Sequence, residues 1–139
     1  MKMTVPTFVI LPRKTKADKK IHLNINTYRN LNHMVNNQCK KVFYEAFRPE
    51  LIKWKKEYGY LLDYNKSMFK MKLHYTITAA NKRKFDVSNI LSIVDKFAAD
   101  CLVKEGFLVD DNWEYLSGAE YTFGGVTGER TCTLQILTI

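Results

Sequence analysis

Hydrophobic and polar positions alternate most regularly between Phe69 and Thr78, where Phe69, Met71, Leu73, Tyr75 and Ile77 interleave with Lys70, Lys72, His74 and Thr76. A period of two puts one set on each face of an extended chain, so this segment predicts a strand. From Val87 the spacing lengthens to that of a helix, with Val87, Ile90, Leu91, Val94, Phe97, Ala98, Cys101 and Leu102 on one side and Ser88, Asn89, Ser92, Lys96 and Asp100 on the other. Gly106, placed just past the last periodic turn and after Lys104, is the expected stop.

Earlier in the chain, the β-rich run Thr4 to Leu11 predicts a first strand, and Pro12 ends it before a loop carrying Arg13, Lys14, Lys16, Lys19 and Lys20. Leu31, Met34, Val35, Cys39, Val42, Phe43, Ala46 and Phe47 then recur at helical spacing, predicting a long helix from Thr27 to Phe47. Pro49 is the expected breaker, Glu50 to Glu57 a second helical piece, and Gly59 with Asp63-Tyr64-Asn65 a turn. Residues 80–85 form a short basic connection. The final strands, Glu114 to Phe123 and Glu129 to Thr138, read as a hairpin joined by Gly124 to Gly128. The order β, α, β, α, β, β predicts one mixed α/β (α+β) domain spanning 1–139, a mixed sheet packed with two main helices.

The 139 residues suit one domain, and a hydrophobic content of 46% can form its core without disulfides or structural metal. Cys39, Cys101 and Cys132 are odd in number and far apart, so neither a zinc spacing nor a secreted disulfide framework is present. They are expected to be reduced, and two of the three, set among apolar neighbours, to be buried as small hydrophobes. Neither a membrane span nor a signal peptide is legible, so a cytoplasmic protein without membrane partners is expected, in a bacterial host if phage-encoded. A net charge of +8 favours a polyanionic partner, with nucleic acid the leading class. No strand carries the clustered aromatics of an RNA-recognition surface, and His74, on a polar strand face with no second ligand nearby, reads as a surface histidine.

Three carboxylates stand at chemically useful places: Asp86 at a strand-to-helix junction, and Asp110 with Asp111 just past the helix and Gly106. Asp86 alone is also a good helix N-cap, and Asp110-Asp111 a good turn. Lys82-Arg83-Lys84 beside them changes the picture, because a hard cation such as Mg²⁺ takes oxygen ligands and a phosphodiester needs cationic neighbours. The basic loop with Arg13, Lys14 and Lys16 is a second candidate phosphate contact, or simply a solvated turn.

The stretch from Lys82 through Asp86-Val87-Ser88-Asn89, then Asp95-Lys96, then Asp100 to Gly106-Phe107-Leu108-Val109-Asp110-Asp111, resembles the RusA family of Holliday junction resolvases, often found in bacteriophages and prophages. The similarity spans about residues 69 to 125. It implies a homodimer that cuts four-way DNA junctions by paired nicks with Mg²⁺ or Mn²⁺ and no small-molecule cofactor. It assigns metal binding to Asp86, Asp110 and Asp111, catalysis to Asp86, Lys96 and Asp111, and DNA binding to Lys82, Arg83, Lys84 and Asn89. Two departures stand out. Ser88 occupies the place of the family's second aspartate, so its role passes to Asp110, Asp100 or water. Lys96 lies ten residues after Asp86 rather than six, which adds about 6 Å of helical rise. Asn26, Tyr28 and Arg29 are further candidate DNA contacts, with a helix start capped by Asn26 or Thr27 as the simpler reading.

Overall fold

The structure, a computed structural model, describes residues 2–138, excluding the side chains of residues 62 and 64–68. In chain order the elements are β1 (Lys2–Thr4), β2 (Phe8–Leu11), β3 (Lys19–His22), α1 (Ile25–Asn30), α2 (His33–Met68), β4 (Met71–Ala79), α3 (Val87–Lys104), β5 (Leu116–Val126) and β6 (Cys132–Thr138). A four-stranded sheet has the order β1-β6-β4-β5, and β2 pairs with β3 in a separate two-stranded ribbon. The molecule is one α+β domain with a mixed sheet.

β4 is the centre of the sheet, and its alternation has the expected consequence: Met71, Leu73, Tyr75, Ile77 and Ala79 are buried while the residues between them are not. On that more open face His74 Nε2 lies 2.7 Å from Thr122 Oγ1, and Lys72 pairs with Glu120. α3 crosses from β4 to the parallel strand β5 and covers the apolar face with Leu91, Val94, Ala98 and Leu102, all fully buried. Gly106, at φ 83°, ends the helix in the left-handed region open to glycine.

Three expectations give way here. The run Thr4 to Leu11 is two strands in different sheets, β1 on β6 and β2 on β3. Pro6 separates them, since it offers no N–H to a ladder and restricts the residue before it. The last two strands are not a hairpin: β5 runs parallel to β4 on one side and β6 antiparallel on the other. The connection between them passes over the end of β4, where Thr127 N donates to Ala79 O at 2.9 Å and Thr78 Oγ1 to Glu129 O at 2.7 Å. Gly125 and Gly128, at φ 103° and 90°, make that passage possible.

The third correction concerns the helices. Asn24, not Asn26 or Thr27, caps α1, accepting from Thr27 N at 2.8 Å, and Asn32 opens a separate α2 by accepting from Val35 N at 2.9 Å. α2 then continues for 36 residues, about 54 Å, through Pro49, Gly59 and the Asp63-Tyr64-Asn65 stretch. Cys39, Phe43, Phe47 and Leu51, spaced by four, are all fully buried. The stripe runs straight past Pro49, so burial on both sides of the proline outweighs the lost i→i−4 hydrogen bond. Phe43 meets Phe47 and Phe97 edge-on at 5.9 and 5.5 Å, joining α2 to α3. The three cysteines are free and buried, and burial pushes the thiols of Cys101 and Cys132 up to about 12.

Candidate active site and nucleic-acid interface

The two ends of α3 carry different chemistry. At its start Asp86 is the N-cap, its Oδ1 accepting from Ser88 N at 3.1 Å and Ser88 Oγ at 3.0 Å. Ser88, standing where the resolvase pattern has an aspartate, thus serves the helix start. One turn on, Asn89 Oδ1 accepts from Ile25 N at 3.0 Å and ties α1 to α3. That oxygen is therefore occupied within the protein, whatever the amide nitrogen contacts.

Further along the helix, a cleft of about 320 Å³ is lined by Asp95, Lys96 and Asp100 of α3, with Asp111, Lys40 and Tyr28 converging from other elements. Lys96 is exposed, its Nζ 5.6 Å from the centre of the Tyr28 ring. Asp95 is set deeper. Its Oδ2 accepts from Tyr121 Oη at 3.4 Å, whereas Oδ1 is buried with no hydrogen-bond donor in range among the described residues. Burial raises its carboxyl above the usual carboxylate range, the neighbouring Tyr75 and Tyr121 hydroxyls oppose the rise, and the nearby charge of Asp111 adds to it. Asp111 is raised as well, first by burial, then by its neighbour Asp110 and by Asp100.

Asp110 stands beside Asp111 and is not among the residues that line the cleft. Its Oδ1 accepts from Asp111 N at 2.8 Å and its Oδ2 from Asn112 Nδ2 at 2.9 Å, while Asn112 Oδ1 accepts from Glu114 N at 2.9 Å. Asp110 thus builds the turn that carries Asp111.

The sequence grouped Asp86 with Asp110 and Asp111, and of these three Asp111 lines the cleft. Asp95 and Asp100 line it with Asp111, beside which Asp110 also stands, and about 13 Å of helix axis separates Asp86 from Asp95. Lys96 joins the Asp111 group, so its offset from Asp86 follows from the arrangement. Asp95 was missed because periodicity sorts residues only into apolar and polar sides. The signal was a carboxylate one turn from both Leu91 and Ala98, inside the buried stripe.

A divalent cation matches the chemistry of this donor set. The half-buried Asp95 and the exposed Asp111, both with carboxyls raised above the usual range, offer oxygens to a cation in a cleft that Lys40 and Lys96 also line. Among the described residues no three or more His, Cys, Asp and Glu side chains are gathered into a metal cage. Mg²⁺ does not need one, since it typically takes one or two carboxylates and leaves its other positions to water and substrate phosphate.

The basic residues fall in two places. Lys82, Arg83 and Lys84, all exposed, surround an apolar cleft of about 560 Å³ floored by Phe85 and Phe123, whose rings meet edge-on at 5.8 Å. Arg130 lies over the Phe85 ring, 4.3 Å from its centre, a cation that sequence order alone kept apart from this cluster. Arg13, Lys14 and Lys16 are exposed on the loop joining β2 to β3, where Arg13 Nε donates to Ala17 O at 2.7 Å. Arg29 and Asn26 are exposed on α1, and Tyr28 packs its ring on Phe97 at 6.2 Å.

Among the described residues no helix is long and apolar enough to cross a membrane. Compared with known proteins, the chain matches no family model and no curated protein.

Proposed function

We propose that the protein is a divalent-metal-dependent endonuclease of the RusA type, which cuts branched DNA, four-way junctions above all, by paired nicks. The observation that carries this reading is the cleft where Lys96 stands among Asp95, Asp100 and Asp111. A lysine among carboxylates provides both halves of a phosphodiester site, an anchor for a hard cation and a fixed positive charge for the scissile phosphate.

In this proposal Asp111 and Asp95 hold Mg²⁺ or Mn²⁺, with Asp100 at the rim, and Asp110 positions Asp111. When bound, the metal supplies Lewis acidity toward phosphate and lowers the pKa of water. Lys96 orients the phosphate, with Tyr28 supporting its ammonium. Lys82, Arg83 and Lys84 hold the flanking backbone. A homodimer fits the substrate, because a four-way junction has near two-fold symmetry and a C₂ pair places one site on each opposed strand. Light scattering of the purified protein tests that state.

The deciding experiment incubates the protein with an end-labelled synthetic four-way junction and a matching duplex, in Mg²⁺, Mn²⁺ or EDTA, on a denaturing gel. Paired nicks at the junction that vanish in EDTA support the proposal, and binding with no cuts in any metal defeats it. One observation favours a second reading, a branched-DNA-binding relative without efficient cleavage: Asp86 is engaged with Ser88 at the helix start, apart from Asp111. Junction binding without nicking is the outcome that selects it.

A further inference from the structure

Between the β2–β3 ribbon and the start of α3 lies a cleft of about 370 Å³, separate from the carboxylate cleft. Three cationic or ionisable side chains reach it from distant parts of the chain: His22 from the end of β3, Arg83 from the basic connection, and Arg130 from the passage between β5 and β6. Thr7 and Asn24 supply neutral polar groups, and no carboxylate lines it.

Among the described residues neither guanidinium has a carboxylate within ion-pair distance. Arg130 is also held, since its guanidinium rests on the Phe85 ring. A planar cation fixed by an aromatic face and left without an anion is pre-set for bidentate binding of an oxyanion. The imidazole of His22 responds to the same field: burial first, then Lys20 and Arg130, push it below the ordinary histidine range.

We propose that this cleft holds a backbone phosphodiester of the nucleic-acid partner, gripped by Arg83 and Arg130 with His22 and Asn24 at its sides. The inference rests on the DNA-binding part of the proposed function and not on cleavage. A nucleic acid fits better than a free phosphate because Arg83 lines both this cleft and the one that Lys82 and Lys84 surround. An occupant bound here therefore continues along a second basic surface, as a polymer does.

The test measures binding of a labelled duplex and a labelled four-way junction in EDTA across a series of salt concentrations. Arg130→Gln and Arg83→Gln should each lower the slope of log affinity against log salt by about 0.9 and weaken binding about fivefold near physiological salt, equally for all sequences. Arg130→Lys should restore the slope, which a folding defect would not. Wild-type slopes in both Gln variants overturn the inference even if the protein proves to be a nuclease. Conversely, DNA binding with these slope losses but no nicking supports it while the nuclease reading fails, and no DNA binding at all overturns both. Inorganic phosphate serves as the competing probe: if it shifts the His22 ring resonances while both variants bind DNA like wild type, the cleft is a free-anion site and the assignment falls.

Discussion

Replacing Asp95 by asparagine separates the metal proposal from a purely structural role. Asp95 Oδ1 is buried without a donor, and an unsatisfied buried polar atom costs about 1–3 kcal/mol, more when charged. An asparagine in its place would keep the acceptor for Tyr121, remove the charge and bring an amide N–H beside Tyr75 Oη, itself buried without a partner among the described residues, so Asp95→Asn should gain about 1–2 kcal/mol at neutral pH without metal. For 139 residues that is a rise in Tm of about 3–8 °C. The gain has a pH signature. Burial raises the folded-state pKa of Asp95 above its ordinary 3.8, so its protonated form suits the folded protein. The wild type is thus handicapped relative to the variant only where the carboxyl is ionised: the gap is absent below about pH 3.8 and opens as pH rises through the folded-state value. Millimolar Mg²⁺ should reverse the order. A ligand at one hundred times its Kd stabilises the wild type by about 2.7 kcal/mol, and the variant forgoes most of this. Calorimetry over a pH series, in EDTA and in Mg²⁺, checks all three statements. A lower Tm for the variant in EDTA, or a gap that does not move with pH, refutes the reasoning about Oδ1, and an order unchanged by Mg²⁺ removes Asp95 from metal binding.

Asp111→Asn should reduce junction cleavage about 100-fold or more while junction binding holds or tightens, and turnover like the wild type would remove Asp111 from the site. Lys96→Met should cost about 100-fold in cleavage rate with Tm unchanged, because Lys96 is exposed; a fall in Tm would mark it as structural. Asp86→Ala should cost the roughly 1 kcal/mol of a lost N-cap and lower Tm accordingly, whereas Asp86→Asn keeps the cap. Loss of cleavage in Asp86→Asn at unchanged Tm would therefore assign Asp86 a chemical role in addition to its cap. Pro49→Ala returns an N–H to the Glu45 carbonyl and should stabilise the protein by about 1–3 kcal/mol; a decrease in thermal stability would show that the proline is needed where it stands.

The elements readable from sequence were those whose burial pattern is local and uninterrupted. β4 and α3 are of this kind, since each presents one apolar face to one partner and their periodicity records it. The order of strands in the sheet was not readable, because β5 and β6 are joined by a glycine-rich loop and yet lie on opposite sides of β4; only the β4–α3–β5 crossover dictates that. Pro49 misled for a different reason. Its local cost is real, but Phe43, Phe47 and Leu51 share a single buried stripe that local propensity does not weigh. Within the candidate site, Lys96, Asp100, Asp110 and Asp111 were legible from their order after Asp86, while Asp95 was hidden by its apolar neighbours and Arg130 by a separation that the passage over β4 closes.

The continuity of α2 through Pro49 also bears on how the molecule opens without unfolding. From Cys39 to Leu51 the helix is anchored by residues that leave the interior only if the whole domain comes apart. From Lys55 to Leu61 the described side chains are mostly exposed, with Tyr58 the one packed on the core. One geometric helix is therefore two thermodynamic units. In native-state hydrogen exchange the amides before Pro49 should share the protection of global unfolding, while those after Trp54 should exchange through local fraying that denaturant barely accelerates.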